Sequence, residues 1–304
     1  MNVLIAGGSG FMGFHLAKAL KEVNVNPLVV DTRPPLSKDV NYAQANLQTI
    51  ALDCSVFKNI DAVYHLAWTT VPITSDENPE KDINSNLSMT NNILNACVSY
   101  NIKKIIFISS GGTVYGKPVK TPINEQHPAN PLCSYGITKL MAEKYVRQVH
   151  HAKGLEYVVL RPANPFGEFQ NPSGIQGAVA VFLGQAAKGN PITIWGDGEI
   201  IRDYFYIEDL VDAMVKALYY FPSEPDERVF NVGSGKGTSL NKLIDTIAEV
   251  TGIKSVVNYT EGRQIDVAEN ILDISLIKKK LDWFPKTDIK DAIKKTWKWV
   301  KENY

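Results

Sequence analysis

The sequence predicts an α/β protein, a doubly wound parallel sheet followed by a smaller C-terminal α/β lobe that binds substrate. Three observations carry this. Short apolar runs rich in β-branched residues alternate with longer segments of helical periodicity through the first half. A glycine-rich turn, Gly7-Gly8-Ser9-Gly10-Phe11-Met12-Gly13, follows the first such run and opens a helix. From Pro162 onward the texture changes to Pro- and Gly-rich turns between shorter elements. Strand and helix in alternation is the pattern of a parallel sheet covered on both faces.

Taken in order, residues 3–6 read as the first strand and 11–22 as the helix after the glycine turn. Further strands are expected at 28–31, 62–65, 104–109 and 157–161, with helices at 79–100 and 135–153. The boundary falls near Pro165, giving a dinucleotide-binding domain over 1–165 and a substrate lobe over 166–304, some of whose segments are free to return to the sheet. In the second half, helices are expected at 175–188, 207–220, 239–251 and 288–303, and strands at 192–195 and 229–232.

The 304 residues carry 32 Lys and Arg against 32 Asp and Glu, and 44% are apolar. Such a balance excludes a protein whose affinity rests on neutralising many phosphates, so no nucleic-acid partner is expected. It also excludes disorder. Cys54, Cys97 and Cys133 show no Cys-x-x-Cys spacing, so no metal site is expected and reduced thiols are the simplest reading. No stretch approaches the ~20 apolar residues of a membrane span. Without a leader pattern after Met1, the expectation is a soluble, cytoplasmic protein with no stable membrane insertion.

Each glycine of the triplet Gly7, Gly10 and Gly13 has a physical reason to be there. They permit a tight turn, close approach of backbone to a pyrophosphate, and close packing of helix on strand. Asp31 closes the second strand near the ~20-residue spacing expected for a ribose-binding carboxylate. A carboxylate there accepts from both ribose hydroxyls and repels a 2′-phosphate, which favours NAD over NADP. Arg33 is the countervailing residue, since an Arg can hold that phosphate. His65, at a strand end, reads as satisfying local backbone. Tyr135 and Lys139 stand one turn apart on one helix face. An ammonium and an oxidised nicotinamide both favour phenolate, and lowering a Tyr pKa by about three units corresponds to ~4 kcal/mol.

Gly7-x-x-Gly10-x-x-Gly13, Asp31, Asn86, the run Ser109-Ser110-Gly111-Gly112-Thr113-Val114-Tyr115-Gly116 and Tyr135-x-x-x-Lys139 together resemble the extended short-chain dehydrogenase/reductase family. Within it the chain looks most like nucleotide-sugar epimerases of the UDP-glucose 4-epimerase type. The likeness continues through Arg161-Pro162-Ala163-Asn164-Pro165-Phe166-Gly167, Trp195-Gly196-Asp197-Gly198, Arg202-Asp203-Tyr204, Asn231-Val232-Gly233 and Arg263 with Asp266, so it covers essentially the whole chain.

The resemblance implies a Rossmann-type fold, NAD as cofactor and a UDP-sugar as substrate. It implies that Tyr135 is the base, that Lys139 holds the nicotinamide ribose, and that the 4-keto sugar turns over before hydride returns to its other face. Phe11, Met12, Leu66, Ala67, Asn86 and Ser109 fall where the family lines its cofactor, and Asn46-Leu47 where it contacts adenine. Gly111 occupies the position of the usual catalytic Ser or Thr, which leaves Thr113 as the candidate donor, with Ser110 behind it. Gly112 and Thr113 supply no carboxyl group before Val114-Tyr115-Gly116, which disfavours dehydration and decarboxylation.

Arg202, Arg263 and Asn164 resemble diphosphate ligands. Trp195 is a stacking platform for the base or ordinary core, Asp209 a capping or orienting residue. Asn270 falls where the family sets room for the sugar's 2-substituent, and its small side chain implies that a 2-acetamido sugar is accepted. In related proteins helices such as 79–100 and 135–153 pair across a twofold axis, which implies a homodimer unless their apolar surface is core. The competing readings are a one-way keto-sugar reductase and a non-catalytic dinucleotide sensor.

Overall fold

The computed structural model describes residues 1–50, 55–222, 227–262 and 267–304. Its elements run β1 (Asn2–Ala6), α1 (Phe11–Glu22), β2 (Asn26–Asp31), β3 (Asn41–Gln44), β4 (Ala62–His65), α2 (Pro72–Glu77), α3 (Pro79–Ser99), β5 (Lys104–Ile108), α4 (Ser134–Lys153) and β6 (Glu156–Pro162). There follow β7 (Asn164–Phe166), α5 (Ala178–Lys188), β8 (Ile192–Trp195), β9 (Ile201–Arg202), β10 (Tyr204–Tyr206), α6 (Ile207–Tyr219) and β11 (Val229–Val232). The chain ends with β12 (Thr238–Ser239), α7 (Leu240–Thr251), β13 (Val257–Thr260), β14 (Glu269–Asn270), α8 (Ser275–Leu281) and α9 (Ile289–Asn303).

Two compact units form. The first gathers 1–116, 128–161 and 211–230, the second 117–127, 162–210 and 231–304. A seven-stranded sheet of order β11-β6-β5-β4-β1-β2-β3 is the frame of the first. The pairs β2–β3, β1–β2, β1–β4, β4–β5 and β5–β6 are all parallel, so the doubly wound expectation is met. Every residue of β4 and β5 is buried, as strands covered on both faces require. On one side Met89, Ile93 and Leu94 of α3 and Ala142 and Val146 of α4 pack with Val63, Ile105 and Phe107 of the sheet. Burying each large side chain contributes about 2 kcal/mol. Lys104 is the one charged residue of β5, and its ammonium donates to the carbonyls of Leu218 and Tyr220 at the end of α6.

Helix boundaries follow local chemistry. Pro79 opens α3, and the Asn78 side chain accepts from the Lys81 N–H at 2.9 Å. Helix α4 ends at Gly154, with φ of 74°, after His150, His151 and Lys153 in its last turn. The helix expected from residue 175 begins only at Ala178, because Gly177 with φ of 91° holds the preceding turn outside helical space.

In the second unit β7 pairs with β10, β8 with β13, and β12-β9-β14 form a three-stranded sheet. Helix α7 is capped by Ser239 and α9 by Asp288. Asp209 has the orienting role expected of it: its carboxylate accepts from the Lys286 and Thr287 N–H groups at 3.0 and 3.2 Å, and its carbonyl from the buried Trp283 indole at 3.0 Å. No helix among the described residues is long and apolar enough to cross a membrane.

Candidate active site

Strand order reverses between β1 and β4, and the carboxyl ends of strands at such a reversal are the place where open α/β sheets bind ligands. The N–H groups of Leu66 and Ala67 both donate to the Ala6 carbonyl, at 2.9 and 2.8 Å, which draws the segment after β4 against the glycine turn. Gly7 has φ of 80°, and a Cβ on it would lie 2.5 Å from Ala67 backbone atoms. A Cβ on Gly13 would lie 2.4 Å from the Gly8 Cα. Gly10 caps α1 without any side-chain acceptor, so the first turn at Phe11, Met12 and Gly13 presents its N–H groups as a helix terminus suited to an anion.

Asp31 faces this turn. Its Oδ2 accepts from the Ser9 N–H at 3.1 Å and its Oδ1 from the Arg33 N–H at 3.2 Å, while the Ser9 hydroxyl donates to the Arg33 carbonyl at 2.7 Å. Arg33 itself is exposed. Asn46 is exposed and Leu47 buried, and the Asn92 amide donates to the Leu47 and Gln48 carbonyls at 3.2 and 2.9 Å. A carboxylate at the strand end, an uncapped helix terminus and glycines that admit backbone to close range fit a dinucleotide.

Helix α4 carries Tyr135 and Lys139 with no side-chain cap from Cys133. Its first N–H groups are satisfied instead from α2: Ser134 N–H donates to Asp76 at 2.7 Å and Tyr135 N–H to the Ser75 hydroxyl at 3.0 Å. Asp82 of α3 completes the fixation. Fully buried, it accepts from the Ser134 and Thr138 hydroxyls at 2.8 and 2.7 Å, from the Asn86 amide at 2.9 Å and from the Thr70 hydroxyl. Asn86 in turn accepts the Thr69 N–H at 2.9 Å, so its amide braces the segment after β4.

Gly136 brings Thr113 to this turn, since a Cβ there would lie 2.9 Å from the Thr113 carbonyl oxygen. The Thr113 hydroxyl is buried and has no hydrogen-bond partner among the described residues. Behind the pair, Glu143 accepts from Arg161 at 2.9 and 2.6 Å and from the Ser109 hydroxyl, and Arg161 donates to the Tyr115 hydroxyl at 2.9 Å.

The Lys139 ammonium donates to the Ile108 carbonyl at 2.7 Å and lies 5.7 Å from the Tyr135 ring centroid. Burial pushes Lys139 down to about 7, against the opposing pull of Glu143 and then Asp82. The Tyr135 phenol is held well above its ordinary value, by burial first and then by Cys133 and Asp82. The chain's own groups therefore do not favour the phenolate as the helical spacing alone suggests, because desolvation disfavours the charged form. His65 is fully buried, bonded through Nε2 to the Thr90 hydroxyl at 2.9 Å, and pushed down to about 3 by burial and then by Lys139, which leaves it neutral.

In the second unit, Arg202 is the cross-strand neighbour of Asn270 in β14 and of Thr238 in β12. Its guanidinium donates to the Ile201 and Val267 carbonyls at 2.9 and 2.7 Å. Asn270 is buried. The Asn164 amide donates to the Asp203 carbonyl at 3.1 Å, and Asp203 binds the turn at Ser234 and Gly235 at 2.7 and 3.1 Å through their N–H groups. Trp195 is 46% exposed, which removes the core reading of it. Arg263 and Asp266 lie outside the described residues, as does Cys54.

Sequence reasoning missed Asp82, Glu143, Gly136 and Trp68, whose indole the Lys139 ammonium faces at 3.7 Å. Two of these carried a signal: Glu143 continues the Tyr135, Lys139 row by one more turn, and Asp82 stands one turn before Asn86.

Residues 3–233 match the family described as NAD dependent epimerase/dehydratase. The chain is 37% identical to dTDP-4-dehydro-6-deoxyglucose reductase of Escherichia coli, over 96% of this chain and 95% of that one. It is 32% identical to UDP-glucose 4-epimerase of Lactobacillus helveticus, over 100% and 98%. The crystal structure of UDP-glucose 4-epimerase from Thermotoga maritima with UDP-glucose superposes with a TM-score of 0.94, at 33% identity and 99% coverage of both chains. The chain belongs to the NAD dependent epimerase/dehydratase family.

Proposed function

We propose that this protein interconverts the 4-epimers of a UDP-hexose or UDP-N-acetylhexosamine, with NAD as its cofactor. The observation that carries the reading is the pair on α4, half-buried Tyr135 and buried Lys139, capped by α2 and clamped by Asp82 beside the strand-order reversal.

In this reading Gly7, Gly10, Phe11, Met12 and Gly13 hold the pyrophosphate of NAD and Asp31 its adenosine ribose, with Asn46 and Leu47 toward adenine. Leu66, Ala67, Ser109 and the segment braced by Asn86 line the rest. When bound, NAD supplies the acceptor, and later the donor, for the hydride at carbon 4. Tyr135 takes the proton of the 4-hydroxyl and returns it after the 4-keto sugar has turned. Lys139 offers its ammonium to the nicotinamide ribose and favours the phenolate, and the Thr113 hydroxyl donates to the reacting oxygen. Arg202, Asn164 and Trp195, with Arg263, serve the nucleoside diphosphate, and Asn270 leaves room for a 2-acetamido group.

A one-way keto-sugar reductase remains the competing activity, supported by the E. coli relative. Asp31 opposes it, since a carboxylate repels the 2′-phosphate of NADPH. Epimerisation by internal return predicts that the hydrogen at carbon 4 is kept: in D2O the product 4-epimer carries no deuterium there, whereas deuterium at carbon 4 contradicts the mechanism.

The protein is further inferred to be a cytoplasmic homodimer. Ile137 and Tyr145 on α4 are 44% and 40% exposed, an apolar row two turns long on the helix expected at the twofold axis. Light scattering at micromolar concentration tests this, with twice the 33.7 kDa chain mass expected and a single chain mass contradicting it.

A further inference from the structure

Trp68 leaves β4 on the segment that faces the glycine turn, and its indole touches both members of the pair on α4. The Lys139 ammonium lies 3.7 Å from the Trp68 ring centroid, 5.0 Å from that of Phe107 and 5.7 Å from that of Tyr135. Trp68 and Tyr135 meet edge to face at 6.1 Å and 73°. The indole is backed by Phe107 at 6.1 Å and His65 at 6.3 Å. Its Nε1–H is buried with no partner among the described residues, where packing rather than a hydrogen bond orients the indole.

An ammonium with 3% residue exposure has lost most of its hydration, and one carbonyl, that of Ile108, replaces only part of it. Aromatic faces attract a desolvated cation through their quadrupoles, Trp most strongly. We propose that Trp68 is a positioning residue of the reaction: its ring face holds the Lys139 ammonium beside Tyr135, in a cage of three aromatic rings, so that a buried lysine stays charged where a cation is needed.

Among the described residues the groups facing Lys139 are few. Glu143 and Tyr135 stand on its own helix, Asp82 on α3, neutral His65 on β4, and Phe107 with the Ile108 carbonyl on β5. Both carboxylates raise Lys139 while burial lowers it to about 7, so any loss of cation stabilisation falls in the pH range where the enzyme would work. Removing the indole face lowers Lys139 further, by about one pH unit for a desolvated contact.

The proposal rests on the epimerase reading for its catalytic meaning, whereas the cage itself does not, and two readouts separate them. The first is the titration of Lys139 in the purified protein labelled with [ε-13C]lysine, the signal being assigned by its loss in Lys139→Arg. The second is the pH profile of kcat with UDP-glucose. Trp68→Leu is expected to lower the Lys139 midpoint by about one pH unit and Trp68→Phe by less than half of that. The alkaline limb of kcat moves down by the same amounts, with KM little changed. If Trp68→Leu does not fold, Trp68→Met against Trp68→Phe makes the same comparison. A Lys139 midpoint unchanged by loss of the indole overturns the proposal. A shifted midpoint in a protein that turns over no nucleotide sugar upholds the cage and refutes the epimerase reading.

Discussion

Asp82 accepts a hydrogen bond from the Ser134 hydroxyl at 2.8 Å, one residue before Tyr135 and from a helix 52 positions away in sequence. The same carboxylate holds Thr138, next to Lys139. The two functional groups of α4 are thus each flanked by a residue tied to one buried charge. Asp82→Ala leaves two α4 hydroxyls and the Thr70 hydroxyl without this acceptor and takes one of its acceptors from the Asn86 amide, and should cost about 3 kcal/mol or more in denaturant unfolding. Asp82→Asn, whose hydroxyl partners can rotate to accept, should lose less stability yet still lose turnover.

The glycine turn separates folding from ligand binding. A Cβ on Gly13 meets backbone at 2.4 Å, so Gly13→Ala should destabilise the protein by about 2 kcal/mol or more. At Gly10 the nearest heavy atom to an added Cβ is 3.8 Å away. Gly10→Ala should therefore leave the melting curve unchanged within about 0.5 kcal/mol, while weakening NAD at least about tenfold in a calorimetric titration.

Thr113 gives the reverse contrast. Its buried hydroxyl bonds nothing among the described residues, so Thr113→Val should not lower stability. Turnover should fall about 10- to 100-fold if the hydroxyl serves the reacting oxygen. Unchanged kcat would remove Thr113 from the mechanism. Gly136→Ala, which drives a Cβ toward the Thr113 carbonyl at 2.9 Å and Pro131 at 2.8 Å, should lower kcat by displacing the same group.

Lys139 couples stability and activity with opposite signs. Burial takes it from 10.5 to about 7, so between those values the unfolded chain binds the proton that the folded one has lost. Its contribution to folding therefore grows as pH rises from about 7 to 10.5, while the ammonium needed for turnover disappears. Lys139→Met should remove that part of the pH dependence. Equal slopes of unfolding free energy against pH in the two proteins, measured from about pH 7 to about pH 10, would contradict it.

Much of the frame was legible because its signals are local. Residues 3–6, 62–64 and 105–108 are continuous apolar runs, and Tyr135 with Lys139 is a one-turn spacing on a long helix. Strand β3, Asn41-Tyr42-Ala43-Gln44, has no apolar alternation and exists because β2 offers it a partner. Strands β9, β12 and β14 have two residues each, too short to show any period, yet they make Arg202 and Asn270 direct neighbours. The clamp at Asp82 was illegible for another reason: its partners Ser134 and Thr138 are 52 and 56 positions away, and only the fold brings them together. The α2 cap on Tyr135 was hidden likewise, since Ser75 lies 60 positions from it.

The most direct test of the central claim is to give the purified protein UDP-glucose and UDP-N-acetylglucosamine with no added cofactor and to follow the 4-epimers by NMR. Both sugars are expected to be interconverted to equilibrium, with NAD released from the protein on denaturation. No interconversion, together with stoichiometric NADPH consumption on a nucleotide-linked 4-keto sugar, would contradict it.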